Sequence, residues 1–214
     1  MDSAATAPHL ASHFEDLAKQ THAARLGMWV FIGSEALLFS ALFALYAAYR
    51  AAYPAAFRAA AGHTDLTLGS LMTGVLLTSS YLVAMGLARV RASRPRGAAG
   101  FLAGAVLLGI AFLALKGMEY AEHFRAGIYP GVGYRSATLP GAGANIFFTL
   151  YYAMTGLHAL HVLGGVVLLI WLAWRVRAGR LTAVYHTPLE LGGLYWHFVD
   201  VIWVFLWPLF YLLR

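Results

Sequence analysis

Two short stretches of this 214-residue chain place titratable side chains at helical spacing. In LYWHFVDVIWVF (194 to 205) His197 and Asp200 stand three residues apart, and in TGLHALHVLGG (155 to 165) His158 and His161 do the same. Residues three apart share a helix face. Imidazole and carboxylate so arranged can ligate a metal between facing helices or hydrogen-bond one another where water is absent. Glu35, in GMWVFIGSEALLF (27 to 39), is an isolated carboxyl whose helical neighbours Phe31, Ile32, Leu38, Phe39 and Leu42 are apolar. It is either a hydrogen-bonded structural group or one that influences proton movement.

The metal reading has a shortfall in ligands. Dinuclear sites in helix bundles draw four carboxylates as well as histidines, and only Glu35 and Asp200 lie at the right depth. The expectation is no metal, with His158, His161, His197 and Asp200 making interhelical polar contacts across the last two spans. An independent membrane metalloenzyme built on those four residues is the alternative. A b-type haem site needs histidines separated by several turns on two helices, and these are one turn apart. The chain has no cysteine, which excludes c-type haem attachment, cysteine-ligated iron–sulfur clusters and thiolate copper within it.

Composition dictates what positions these residues. The chain is 61% hydrophobic and 11% charged, with a mean hydropathy of +0.68, outside the range of soluble domains. Charges cluster, and the intervals between clusters approach or exceed the roughly 20 residues that cross about 30 Å of hydrocarbon. They predict five transmembrane helices, approximately 26–49, 66–88, 97–120, 145–174 and 190–213. The runs are too long and too continuous for membrane β-strands. The fold class is therefore an all-α membrane bundle: a tail over 1–25 and a single domain over 26–214. The tail has no signal-peptide pattern, and the glycine- and proline-rich stretch from about 120 to 144 reads as a loop. Small residues mark close helix approaches: the Gly100–Gly104 pair, Gly69, Gly74, Gly156, Gly164 and Gly165.

Lys19, Arg25, Arg89, Arg91, Arg94, Arg96, Arg175, Arg177 and Arg180 fall on the side of the tail, nine of the 15 Lys and Arg. The positive-inside rule then predicts a cytoplasmic N-terminus and an external C-terminus. Formal charge is +6, but the arginines sit at span ends, which suits anionic lipid headgroups rather than nucleic acid. Arg175, Arg177, His186 and Glu190 are the candidates for headgroup contact. At the other end of the third span, Glu119, Glu122 and His123, with Lys116, read as an interfacial, salt-bridged helix end. A proton-coupled transporter is disfavoured because no span is broken by a central proline or unwound glycine pair near Glu35.

TGLHALHVLGG together with YWHFVDVIWVFLWPLFYL (195 to 212) closely resembles the last two helices of subunit III of haem-copper cytochrome c oxidase. GMWVFIGSEALLF is similar to that family's helix with an intramembrane glutamate, and LKGMEYAEHF (115 to 124) to its FEYxE segment. The likeness runs from Gly27 to Leu212, and the spacing of His186, Glu190 and His197 fits it. It implies a non-redox accessory subunit in a bacterial plasma membrane, beside catalytic subunit I and subunit II, which carry haem and copper. Further implications are structural phospholipid in a cleft, support of proton uptake, and contact with cytochrome c through the complex. Glu35 would face the catalytic subunit. The mitochondrial form has seven spans and this chain resembles the last five, so lipid contacts of the first two do not transfer. Subunit III of a quinol oxidase and an accessory protein of a nitric oxide reductase are alternatives within the same superfamily.

Overall fold

A computed structural model describes residues 11, 14–94, 97–136 and 141–213. Arg96 of the basic side, residues 137–140 of the expected loop and the final Arg214 lie outside them, as does most of the tail before residue 14. Five helices are long and apolar enough to cross a membrane: α1 (Leu17–Ala52), α3 (Leu66–Arg91), α4 (Ala98–Arg125), α5 (Ala142–Arg177) and α6 (Thr187–Trp207), the last continued by a π turn (Pro208–Leu212). A short helix, α2 (Pro54–Ala61), was not anticipated. It starts with Pro54 in its first turn and buries Phe57, Ala60 and Ala61, one apolar side that holds it against α5.

Helix ends differ from the charge-bounded estimates for local reasons. Inside the expected tail, Asp16 starts α1 by accepting the Lys19 N–H at 2.7 Å, an N-cap that satisfies one orphan donor. Asp65 does the same for α3 with Thr67 and Leu68. α4 runs past residue 120 because Glu119 and His123 face the bundle instead of water.

Within the bundle, α3 packs on α4 and α6, α5 on α4 and α6, while α1 packs mainly on α5, α6 and α2. Consequently just 11% of the most apolar window of α1 is buried, against 28–44% for the other spans. Glycines set the tightest contacts. A Cβ on Gly165 of α5 would stand 2.5 Å from the Trp196 ring, and one on Gly69 2.7 Å from Tyr211. Gly74 and Gly100 face open space instead, so the Gly100–Gly104 pair uses only its second member, against Leu82 at 3.0 Å. Sequence spacing alone does not say which face of a helix is occupied.

The end of the bundle opposite the tail is held by buried polar groups. Lys116, 2% exposed, donates to Glu119 Oε2 at 2.9 Å and to the hydroxyls of Tyr151 and Tyr211, each at 2.8 Å. All three ammonium donors are used. Tyr211 in turn donates its O–H to the Glu119 carboxylate at 2.8 Å. The ammonium also lies within 4.4–5.4 Å of the ring centroids of Tyr120, Tyr151, Trp203 and Tyr211, where cation–π attraction partly replaces water. The expected interfacial salt bridge is thus an interior one. His123 packs edge-on to Phe148 and Tyr151; of the four, only Glu122 is exposed.

The last helical turns are gripped from two further sides. Helix ends leave carbonyls without intrahelical donors, and Pro208 widens the turn so that Leu213 N–H reaches the Pro208 carbonyl at 3.0 Å. The Leu209 carbonyl accepts from Tyr46 of α1 at 2.6 Å, and the Phe210 carbonyl from Thr64 at 2.8 Å.

Removing one member of a buried pair strands the other charge, whereas removing both need not. Glu119→Leu should therefore lower stability by about 3–5 kcal/mol in denaturant titration in detergent, and Lys116→Met with Glu119→Leu should recover most of it. Equal losses in single and double variants would contradict this. Separately, Gly165→Leu should lower the thermal midpoint sharply while Gly100→Leu leaves it near wild type, followed by circular dichroism in detergent.

Candidate functional site: polar groups inside the bundle

The inner candidates do not bond one another across α5 and α6. His161 of α5 turns to α1, with Nε2 3.0 Å from Glu35 Oε2 and Nδ1 2.8 Å from the Leu157 carbonyl. A carbonyl only accepts, so Nδ1 carries a hydrogen, and the proton of the pair lies between Nε2 and the Glu35 carboxyl. Tyr195 of α6 donates to the His161 carbonyl at 3.0 Å, and Phe39 meets the imidazole edge-on at 5.5 Å between centroids. Glu35 therefore has a polar partner among its apolar helical neighbours. Both side chains of the pair remain partly open on the outside of the bundle, 19% for Glu35 and 15% for His161.

His197 and Asp200 turn the other way, to α3. His197 Nδ1 is 2.5 Å from Ser80 Oγ, and the same hydroxyl lies beside the Asp200 carboxyl. Asp200 is 4% exposed, and its Oδ1 has no partner. α6 packs against both α3 and α5, and the hydroxyl on α3 takes the polar face that the sequence reading assigned to the histidines of α5. His158 is fully buried and bonds through neither nitrogen. Its ring packs against Phe112 and Trp203, with centroids 5.6 and 5.2 Å away, so it joins α4, α5 and α6 as an aromatic contact. Among the described residues no three His, Asp or Glu side chains converge as metal ligands.

On the tail side, Glu190 sits between two guanidinium groups, 2.9 Å from Arg25 and 3.0 Å from Arg91, with His186 3.7 Å away. It ties the starts of α1 and α6 to the end of α3, so its carboxylate serves protein cations where headgroup contact was expected. Arg175 lies over Trp171, 4.8 Å from the ring centroid, and Arg177 is exposed. Behind Glu190 a cleft of about 260 Å³ opens between α1, α3 and α6, lined by Arg25, Trp29, Ala84, Leu87, Leu194 and His197 among others.

Sequence reasoning missed Ser80, the Arg91–Glu190 bridge and the partners of Lys116. The run Thr78, Ser79, Ser80 inside an otherwise apolar span was the available signal. Ser79 donates to the Ala105 carbonyl of α4 at 3.0 Å, and one turn away from the triplet Thr73 takes the Trp203 indole N–H at 3.0 Å.

A family model described as cytochrome c oxidase subunit III matches residues 10–213. The chain is 32% identical over 189 residues to cytochrome c oxidase subunit 3 of Thermostichus vulcanus, covering 88% of this chain and 86% of that one. It is 30% identical over 208 residues to the protein of the same name from Alkalihalophilus pseudofirmus, covering 97% and 95%. A probable quinol oxidase subunit 3 of Staphylococcus epidermidis is 27% identical over 189 residues, covering 88% of each. With five membrane-length helices in place and one family model spanning nearly all of them, the chain belongs to the cytochrome c oxidase subunit III family.

Proposed function

We propose that this chain, by its family an accessory subunit of a haem-copper oxidase in the plasma membrane, serves an oxidase of the cytochrome c type and docks on its catalytic subunit through the outer face of α1. The observation that carries the docking face is the Glu35–His161 pair, hydrogen-bonded yet partly open in the middle of the least buried helix. Polar groups facing lipid at that depth are costly, and a neighbouring protein surface relieves the cost. In this reading oxygen is reduced, with proton translocation, on haem and copper in subunits I and II, and cytochrome c is met only through the complex. Glu35 supports proton uptake from the side of the tail, and the arginine distribution supports reading that side as cytoplasmic. Phospholipid headgroups meet the exposed Arg177 and the Arg175–Trp171 stack, a pairing suited to phosphate at the interface. The likeness to a probable quinol oxidase subunit 3 favours a second reading, in which the donor is a quinol.

Purification in mild detergent tests the assignment. Haem-bearing companions are expected, with a dicopper-binding subunit among them; haem without dicopper would move the reading to a quinol oxidase, and isolation of the chain alone would end both. Glu35→Gln is expected to leave haem content and subunit composition intact and to reduce sustained turnover. Loss of haem on that substitution would show that Glu35 holds the complex together rather than tuning it.

A further inference from the structure

We propose that His197, Ser80 and Asp200 form a proton-exchanging relay, reached from the tail side of the membrane through the cleft between α1, α3 and α6. Three observations converge on it. His197 lines the cleft, and with Nδ1 on Ser80 its Nε2 is not sealed in the core. Ser80 bonds the imidazole and lies beside the Asp200 carboxyl, where a hydroxyl can act as both donor and acceptor. Behind it, Asp200 keeps a fully buried, unpartnered Oδ1. A tie between two helices needs no carboxyl with an idle oxygen, and intramembrane Asp and His in sequence are the usual parts of proton relays.

The cleft supplies the approach. At about 260 Å³ it holds several waters of about 30 Å³ each. His197 lies roughly 15 Å along α6 from the first residue of the helix, at about 1.5 Å per residue. The transfer balances without a co-reactant. A proton on Asp200 passes to Ser80 Oγ as the Ser80 hydroxyl proton passes to His197 Nδ1, and the imidazolium so formed gives its Nε2 proton to water in the cleft. Uptake is the reverse. The titratable groups around the relay are Arg25 of α1, Arg91 of α3 and Glu190 of α6 at the cleft mouth, where they neutralise one another in part. Glu35 of α1 and His161 of α5 are bonded to each other. His158 of α5 stands among aromatic rings, and Lys116 of α4 is bonded at the far end. The relay thus has its own route to water and shares no hydrogen bond with Glu35.

Infrared pH-difference spectroscopy on the full chain, purified with whatever subunits accompany it, tests the relay and does not depend on which electron donor the complex uses. A carboxyl C=O band that titrates reversibly and shifts in deuterium oxide is expected, lost in Asp200→Asn and displaced in both Ser80→Ala and His197→Gln. Ala84→Trp, which fills the cleft, should slow the deuterium shift several-fold without removing the band. Should Asp200→Asn fail to fold, displacement of the band by Ser80→Ala carries the test. A spectrum identical in wild type and Asp200→Asn, a band indifferent to Ser80→Ala, or exchange unaffected by Ala84→Trp would each overturn the proposal.

Discussion

Hydrocarbon offers no hydrogen bonds, so a charged side chain carried into the bilayer has to find its partners in protein. The Lys116–Glu119 pair is where that constraint bears hardest. An ammonium group 2% exposed has its three donors taken by a carboxylate and two phenols drawn from three helices. The aromatic walls around it are the same rings that pack the bundle end, so electrostatic satisfaction and close packing are one arrangement. This explains why α4, α5 and the π turn meet where they do, and why α4 continues beyond the point at which its charges begin.

Polar ties divide the bundle by depth. Toward the tail, Glu190 collects Arg25 and Arg91 and fixes the starts of α1 and α6 against the end of α3. Further in, α1 is joined to α5 by Glu35–His161, and α3 to α6 by Ser80–His197. Glycines do the work that polar groups do not: Trp196 lies against Gly109 and Gly165, closing α6 on α4 and α5. α1, tied by Arg25, Glu35 and Tyr46, is nonetheless left with most of its surface outward, as an accessory subunit needs if it is to dock by one face.

Much of this was legible in the residues. Long intervals with at most one charged residue marked all five spans, because hydrocarbon thickness is a single threshold that composition either meets or does not. The existence of inner polar residues was equally plain. Their partners were not, because a serine among Thr78, Ser79 and Ser80 looks like ordinary membrane-helix composition until a neighbouring helix presents an imidazole. Lys116, Glu119, Glu122 and His123 read together as an interface because four polar residues in two turns resemble a wetted helix end. Three of them in fact face inward, and only rotation about the helix axis, invisible in composition, separates them from Glu122. α2 escaped notice for a simpler reason: eight residues, mostly alanine, are too few to declare a period.

The grip on Pro208–Leu212 bears on how the bundle comes into being. Tyr46, Thr64 and Lys116 are synthesised long before the carbonyls and hydroxyl that they hold, so the earlier helices enter the lipid with those groups still waiting. Translation has to reach the closing turn before the far rim can set, and a polypeptide halted short of it is left with an incompletely bonded ammonium.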